Sequence, residues 1–324
     1  MTLFFTLLFF ICAGNIYPGG KSQVQSSQDL AALQPYQIQL ENNLNEQSAS
    51  NEQPVSNTRA EQVMKALAAA YPQHISKVEF RDDDWAVLLH DTWYYYEGGR
   101  LLPDRLKVSA DGYSPQAFYN YPVELPPWNE PAPEAAARFR DMANNRNQSS
   151  ARRSSTFFDD LWRVHNRDES YQRVKSFRFL GHLTMVHYSI LTELSLVEER
   201  ILALAKAKPH IQTWINNIST ADSWNWRNIA DTQARSFHSY GAAIDILPKS
   251  LAGKETYWLW ASNKRSDWWN VSYNERYHPP IEIIQAFEAY GFVWGGKWLF
   301  YDTMHFEYRP EVLLLCGMKL DKIW

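Results

Sequence analysis

Hydrophobic and polar positions divide the chain into segments that predict different structures. Residues 1–14 are almost entirely apolar, but the run from Leu3 to Ala13 is shorter than the about 20 residues that span a bilayer. This run predicts a signal peptide or an uncleaved anchor, and membrane contact only through it. Residues 15–57 are rich in Gln, Asn, Ser and Glu and have too few apolar residues for a core, so they predict a disordered tether.

A small α+β unit of unknown role is predicted over residues 58–122. Apolar residues recur at helical spacing through Val63 and Leu67. The stretch DWAVLLHDTWYYYEGG then predicts two strands joined by a turn at His90. Residues 123–155 are rich in Pro, Asn and Ser and predict a linker.

A second and larger α+β domain is predicted over residues 156–324. A helix is expected through residues 197–205, opened by a capping box of Ser195 and Glu198. Another helix starts after a Pro-Pro pair and ends at Gly291. The segments FVW, WLFY and HFEY predict short strands. The expected fold class is therefore α+β, with a small antiparallel sheet packed against helices.

Composition adds three constraints to this picture. The 324 residues carry a net charge of −4, which gives no basic surface for a nucleic acid partner, and they leave the oligomeric state open. Cys12 lies in the leader and leaves Cys316 without a partner, so no disulfide framework is predicted. Aromatic residues make up 15%, including 14 Trp, and such side chains fill cores more often than they line grooves.

The stretch SFHSYGAAIDILP contains the first half of a candidate metal site. In a strand, Ala243 and Asp245 share one face, while the neighbouring isoleucines point to the apolar side. Gly241 permits a sharp turn that folds His238 back towards Asp245. The small alanines after this glycine are expected to leave room for an ion and a substrate.

The second half lies about 60 residues later, where Asp302 comes three residues before His305. Two imidazoles and one carboxylate predict a zinc site with an open fourth position, the arrangement that catalytic zinc sites have. Zinc makes its bound water acidic enough to act as a nucleophile near neutral pH, and Asp302 is the natural general base. Arg227, with Arg235 as the alternative, is the candidate cation for the developing oxyanion.

Both halves match motifs of a known family. Residues 236–245 fit Ser-x-His-x-x-Gly-x-Ala-x-Asp, and residues 302–306 fit an acidic residue, two residues, then His and an aromatic. In these motifs the sequence resembles the VanY-like zinc peptidases, which are peptidoglycan D-alanyl-D-alanine carboxypeptidases and L-alanyl-D-glutamate endopeptidases. The resemblance covers residues 175 to 310, and residues before 150 do not share in it.

The resemblance implies an extracytoplasmic zinc enzyme that hydrolyses peptidoglycan stem peptides through a zinc-bound water. Its implied zinc ligands are His238, Asp245 and His305. Asp302 is implied as general base and acid, Arg227 as the carbonyl-polarising group, and Ser236 as a hydrogen-bonding support. Asp302 followed by HFE is closer to the endopeptidase branch, because the carboxypeptidases commonly have Glu there. Core packing and a peptide groove are equally good interpretations of Tyr240, Trp298, Trp226 and Trp294.

Two alternatives to a peptidase stay open at this stage. A related fold can keep a zinc site and serve as a non-catalytic cell-wall binding module, since fold alone does not set function. The retained Asp302 argues against that alternative. A purely structural zinc site needs a fourth protein ligand, and no cysteine or histidine close in sequence provides one.

Overall fold

The structure is a computed structural model that describes residues 58–125, 130–145, 152–230 and 232–321. The predicted leader and tether, and parts of the predicted linker, lie outside these residues. The α+β class is confirmed. The helices are α1 (Arg59–Ala70), α2 (Asp104–Lys107), α3 (Pro133–Asn144), α4 (Thr156–Trp162), α5 (Arg167–Arg173), α6 (Leu191–Ala207), α7 (Pro209–Asn216), α8 (Trp258–Ser262), α9 (Ile281–Ala289) and α10 (Pro310–Leu315). The strands are β1 (Ile75–Arg81), β2 (Asp84–Leu89), β3 (Thr92–Tyr95), β4 (Leu102–Pro103), β5 (Tyr113–Ser114), β6 (Arg152–Arg153), β7 (Val174–Phe179), β8 (His182–His187), β9 (Ile218–Asp222), β10 (Ala243–Pro248), β11 (Phe292–Trp294) and β12 (His305–Tyr308).

The N-terminal unit consists of α1 and a four-stranded sheet in the order β1-β2-β3-β4. The Thr58 hydroxyl caps α1 by accepting from the backbone N–H of Glu61. The β1–β2 hairpin turns at Asp82 and Asp83, both at positive φ, which short polar side chains tolerate. Each strand of this sheet pairs with its neighbour in sequence, so the sheet needs no distant segment to form.

The second four-stranded sheet has the order β11-β12-β10-β9, and all its described pairings are antiparallel. Strand β12 lies between β10 and β11, although about 60 residues separate it from β10 in the chain. Helix α9 covers this sheet with Phe287, whose ring stacks on Phe306 of β12 at 3.9 Å between centroids. The sheet therefore brings remote segments into hydrogen-bonding register.

One hydrophobic core joins the N-terminal unit to the second sheet. It includes Met64 and Leu67 of α1 together with Ile244 of β10 and Phe306 of β12. Helix α10, directly after β12, packs on α1. Among the described residues, no helix has the length and apolar character to cross a membrane.

The predicted linker over residues 123–155 needs correction, because it contains the helix α3. Only a narrow side of α3 is apolar, and its Phe139 is buried in an aromatic cluster with Trp258, Trp268 and Trp269. Because the surrounding sequence is rich in Pro and Asn, this one buried aromatic residue did not indicate a helix. Strand β6, in the same interval, pairs in parallel with β5.

Three local predictions are also wrong. Ser195 lies inside α6, where its hydroxyl donates to the Leu191 carbonyl, so it does not open the helix. The WLFY segment is an irregular loop between β11 and β12. The alanines after Gly241 are fully buried in the main core, so they do not leave open space for a ligand.

Candidate metal centre

Strand register places the predicted ligands against each other. Asp245 of β10 lies directly opposite His305, the first residue of β12. Side chains opposite each other in an antiparallel pair have Cβ atoms about 5 Å apart, close enough for both to reach one ion. On its other edge, β10 pairs with β9, where Asp222 is opposite Asp245 and points to solvent. Register therefore joins two ligands that are remote in sequence.

His238 reaches the site from a turn of 3₁₀-helix, Phe237–Tyr240, that directly precedes β10. The Ser236 hydroxyl caps this turn by accepting from the backbone N–H of His238 at 3.3 Å. Gly241 ends it at φ +69°, and a Cβ there would lie 2.7 Å from Val174 Cγ1 and 2.8 Å from the backbone nitrogen of His187. Both the dihedral angle and the close approach therefore require glycine.

Three donor atoms converge at this point: Nε2 of His238, Oδ1 of Asp245 and Nδ1 of His305. Asp245 Oδ1 lies 3.2 Å from His238 Nε2 and 2.8 Å from His305 Nδ1. The two nitrogens lie 3.2 Å apart. Tetrahedral ligands of zinc lie about 3.3 Å from one another, given zinc–ligand distances of about 2.0–2.1 Å. The spacing of the donors thus fits a small ion.

The outer nitrogen of each imidazole already has an acceptor. His238 Nδ1 is bonded to the backbone carbonyl of Ser223, and His305 Nε2 lies 3.2 Å from the Glu307 carboxylate. Because a carbonyl and a carboxylate accept, each ring must donate from its outer nitrogen. In the neutral rings, the inner nitrogens then present lone pairs to each other and to Asp245. Three acceptors at one point require a cation, and this is the observation that fits a metal.

Without an ion, protons would fill this requirement. Burial by itself lowers the pKa of His305, but hydrogen bonds to Asp245 and Glu307 outweigh burial and raise this pKa to about 10. Burial by itself raises the pKa of Asp245, yet the charge and hydrogen bonds of the two imidazoles hold it well below its usual range. Without a metal, the site therefore keeps Asp245 ionised and favours a proton on His305 at the position where a metal would bind.

Asp302 lies beside this cluster and is not one of its three donors. Its backbone is fixed by a bond from its N–H to the Gly295 carbonyl, and its Oδ1 accepts from the Met304 N–H at 3.3 Å. Burial and the negative charge of Asp245 raise the pKa of Asp302 to about 7. A carboxyl group with this pKa can both accept and release a proton near neutral pH.

The structure separates the two candidate arginines. Arg235 Nη1 is bonded to the buried Asp159 carboxylate at 2.6 Å, so its charge is already neutralised. Arg227 is exposed, and its backbone N–H and carbonyl both bond to the Ser239 hydroxyl, next to His238. Of the two, Arg235 is engaged in an ion pair, and Arg227 has the solvent-exposed side chain.

The four predicted groove residues divide into two that are buried and two that are half-buried. Tyr240 is a correction: it is buried in the main core, where its hydroxyl donates to Asp159, so it cannot line an open groove. Trp294 is likewise buried and donates to the Thr303 carbonyl. Trp298 is half-buried, and its ring lies 5.4 Å from that of His305, so it borders the site. Trp226 is half-buried and lies under the Arg235 guanidinium.

Sequence reasoning missed two residues that support the centre, Ser223 and Glu307. The alternation of β12 puts Glu307 on the same face as His305, and this signal was sufficient to assign it. Glu307 in turn accepts from Arg309 Nη1 at 3.2 Å. Ser223 gave no signal, because its contribution is a backbone carbonyl 15 residues from His238.

Comparison with known protein families bears on this site. Residues 230–308 match the family described as D-alanyl-D-alanine carboxypeptidase. The match supports the resemblance to VanY-like peptidases and a metal-dependent peptidase activity for this part of the chain. His238, Asp245, Asp302 and His305 all lie within the matched segment.

The N-terminal unit has a separate match. Residues 63–118 match a family described as a domain of unknown function. Searches of curated proteins and of solved structures gave no match to the chain.

Proposed function

We propose that the chain is an exported zinc metallopeptidase that hydrolyses amide bonds in the stem peptides of peptidoglycan. The observation that carries the proposal is the convergence of three acceptor atoms, from His238, Asp245 and His305, beside a carboxyl group whose pKa is about 7. The family match over residues 230–308 supports the peptidase class and the cell-wall substrate. Export is proposed from the apolar leader and from the location of that substrate.

The three converging side chains would hold one zinc ion, and two nitrogens with one oxygen is a ligand set typical of catalytic zinc. When bound, zinc would supply Lewis acidity for water and for the scissile carbonyl. Asp302 would accept the proton of the attacking water and return it to the leaving amine. Its pKa near neutrality suits both steps, because neither the acid nor the base form is strongly disfavoured.

Substrate contacts would come from the exposed side of the site. The backbone of Arg227 is bonded to Ser239, next to His238, and from this position its exposed guanidinium would polarise the carbonyl and stabilise the oxyanion. Trp298, beside His305, would form a wall of the peptide groove. Ser236 would keep its supporting role through its bond to the His238 N–H.

The bond cleaved is tested by mass spectrometry of purified peptidoglycan fragments after incubation with the zinc-loaded protein. Loss of one terminal D-Ala identifies a carboxypeptidase, as the family description says. Separation of L-Ala from D-Glu identifies an endopeptidase, which the Asp302 and HFE pattern favours. Zinc binding and stem-peptide binding without either product would establish the non-catalytic binding module instead.

The role of Asp302 is tested by Asp302→Asn, with Asp222→Asn as the matched control. Both residues are aspartates at the edge of the same site, but Asp222 points to solvent opposite Asp245. Loss of a general base costs about 10²–10⁴-fold in rate, so Asp302→Asn should lose that much activity and still bind zinc. Asp222→Asn should stay close to wild type. Full activity in the Asp302 variant would contradict the assigned role.

A further inference from the structure

A buried chain of charged and polar groups runs from the candidate metal centre towards the N-terminal unit. His305 contacts Glu307, and Glu307 accepts from Nη1 of Arg309. Arg309 donates from Nε to Glu311, and Glu311 accepts from the Tyr71 hydroxyl at 2.8 Å. The chain of contacts thus ends on the residue that directly follows α1.

Arg309 is the branching point of this series of contacts, and each of its three guanidinium nitrogens donates a hydrogen bond. Its Nη2 donates to the backbone carbonyl of Ala117 at 2.9 Å, in addition to the two carboxylates. It also lies over the rings of Phe158 and Phe237, and Phe237 belongs to the turn that carries His238. Arg309 therefore contacts Glu307, which is bonded to His305, and Phe237, which precedes His238 in the same turn.

Arg309 and Glu311 are buried charges, so they depend on contacts of good geometry with each other and with their neighbours. Glu311 is 0% exposed and Arg309 is 3% exposed. Buried charges are tolerated only when partners are held in good geometry, and removing one partner leaves the other uncompensated. Displacement of either group would therefore affect Glu307, since the Arg309 guanidinium donates to both carboxylates.

Two of the anchors come from the N-terminal unit. Tyr71 and Ala117 both lie within residues 63–118, the segment whose family has no assigned function. The Tyr71 ring is itself fixed by edge contacts with Trp162 and Tyr308. The Tyr71 hydroxyl thus approaches the Arg309–Glu311 pair from a ring that is packed on two sides.

We propose that the N-terminal unit is a positioning element for the metal centre. Tyr71 and the Ala117 carbonyl hold the Arg309–Glu311 pair, and Arg309 holds Glu307. Glu307 then fixes the ring orientation of His305 and keeps its proton on Nε2, so that Nδ1 faces the ion. The inference rests on the proposed function only in that a metal occupies the site. Tyr71 acts through other residues and is a positioning residue.

The test is the zinc affinity of Tyr71→Phe, measured by competition with a chromophoric chelator on the whole chain. Loss of a group that orients a metal-bound histidine costs about 10–100-fold in metal affinity, so we expect about 3–10-fold for a residue further out. The matched control is Tyr94→Phe. Tyr94 is also a buried tyrosine of the N-terminal unit whose hydroxyl donates to a carboxylate, that of Asp160, but it does not lead to His305.

Thermal unfolding of the metal-free proteins separates positioning from simple stabilisation. Both variants should lose similar stability, while only Tyr71→Phe should lose zinc affinity. Equal zinc affinity in wild type and both variants would overturn the proposal and leave the N-terminal unit as a brace. The readout is metal binding, which does not depend on peptidase activity. A protein that binds zinc but cleaves no stem peptide would contradict the proposed function and leave this test intact.

A double-mutant cycle with Glu307→Gln tests the route. If Tyr71 acts through Glu307, the Tyr71→Phe change should lose most of its effect on zinc affinity in the Glu307→Gln background. Additive losses would show that Tyr71 affects the ion by another route and would overturn the inferred chain of contacts.

Discussion

The two four-stranded sheets differ in how they are assembled and in what they bury. The N-terminal sheet, β1 to β4, is a meander of sequence neighbours, and most side chains of its edge strand β1 face solvent. The sheet of β9 to β12 joins remote segments, and it buries His305 with Glu307 beside it. The candidate metal centre therefore lies in the sheet whose strand register joins segments that are distant in the sequence.

The charges of the two regions differ accordingly. In the N-terminal sheet, Arg81 pairs with Asp82 at the surface, and an exposed pair of this kind contributes little to stability. In the second sheet, the Asp245 carboxylate contacts the buried imidazoles of His238 and His305. The Glu307 carboxylate lies between His305 and Arg309. Surface pairs can be replaced freely, but the buried network is sensitive to every member.

The largest difference between the two regions should appear in zinc affinity when a predicted metal ligand is removed. His238→Ala deletes one of three donors, so zinc affinity should fall more than the about 10–100-fold that loss of an orienting partner causes. Peptidase activity should be lost with it. The control is His74→Ala, a partly exposed histidine of the N-terminal unit, which should leave zinc affinity unchanged. Competition titration measures both, and equal affinities would remove His238 from the site.

The next largest effect should come from glycine substitutions. Gly241→Ala adds a methyl group at positive φ against backbone and the buried Val174, so we expect about 2–4 kcal/mol of lost stability from strain and overpacking. Gly98→Ala, in the N-terminal unit, has the same strain at φ +59°, but its close neighbour is the far end of the Arg100 side chain, which can move. Urea unfolding should show only about 1–2 kcal/mol there. Equal losses would mean that the close approach at Gly241 is unimportant.

Sequence patterns predicted the local parts of this molecule better than the tertiary ones. A turn and a strand fix the directions of His238 and Asp245 locally, so their approach to one ion was predictable from residue spacing and strand alternation. The inclusion of His305, about 60 residues later, was supported by the resemblance to the family motifs and not by local geometry. Burial of Tyr240 was not predictable, since it depends on Asp159, which is 81 residues away.

The same limit explains the missed supports of the site. The Arg309 and Glu311 contacts with the N-terminal unit join residues separated by 192 and 240 positions. No periodicity in the sequence reports such a contact. Helix α3 was missed because its one buried aromatic, Phe139, lies in an otherwise polar segment.

A smaller effect should appear in the pH dependence of the metal-free protein. The pKa of Asp302 is raised to about 7 in the folded chain, so between pH 4 and 7 the folded state binds more protons than the unfolded state. Stability from this group is therefore lost as pH rises through that window. Because Asp302 is partly exposed, we expect a loss on the order of 1 kcal/mol relative to Asp302→Asn. Thermal unfolding from pH 4 to 8 measures the difference, and parallel curves would contradict the raised pKa.

The smallest effect should come from the solvent side of the N-terminal sheet. Phe80 on β1 is 62% exposed and touches Trp85 only edge-on, at 5.9 Å between ring centroids. Phe80→Ser should change the free energy of unfolding by at most about 0.5 kcal/mol, since little apolar surface is returned to water. Zinc affinity should not change, because Tyr71 and the Ala117 carbonyl, not β1, contact the buried charges. A loss above about 1 kcal/mol would show that this sheet is as tightly packed as the one that carries the site, and the contrast between them would fail.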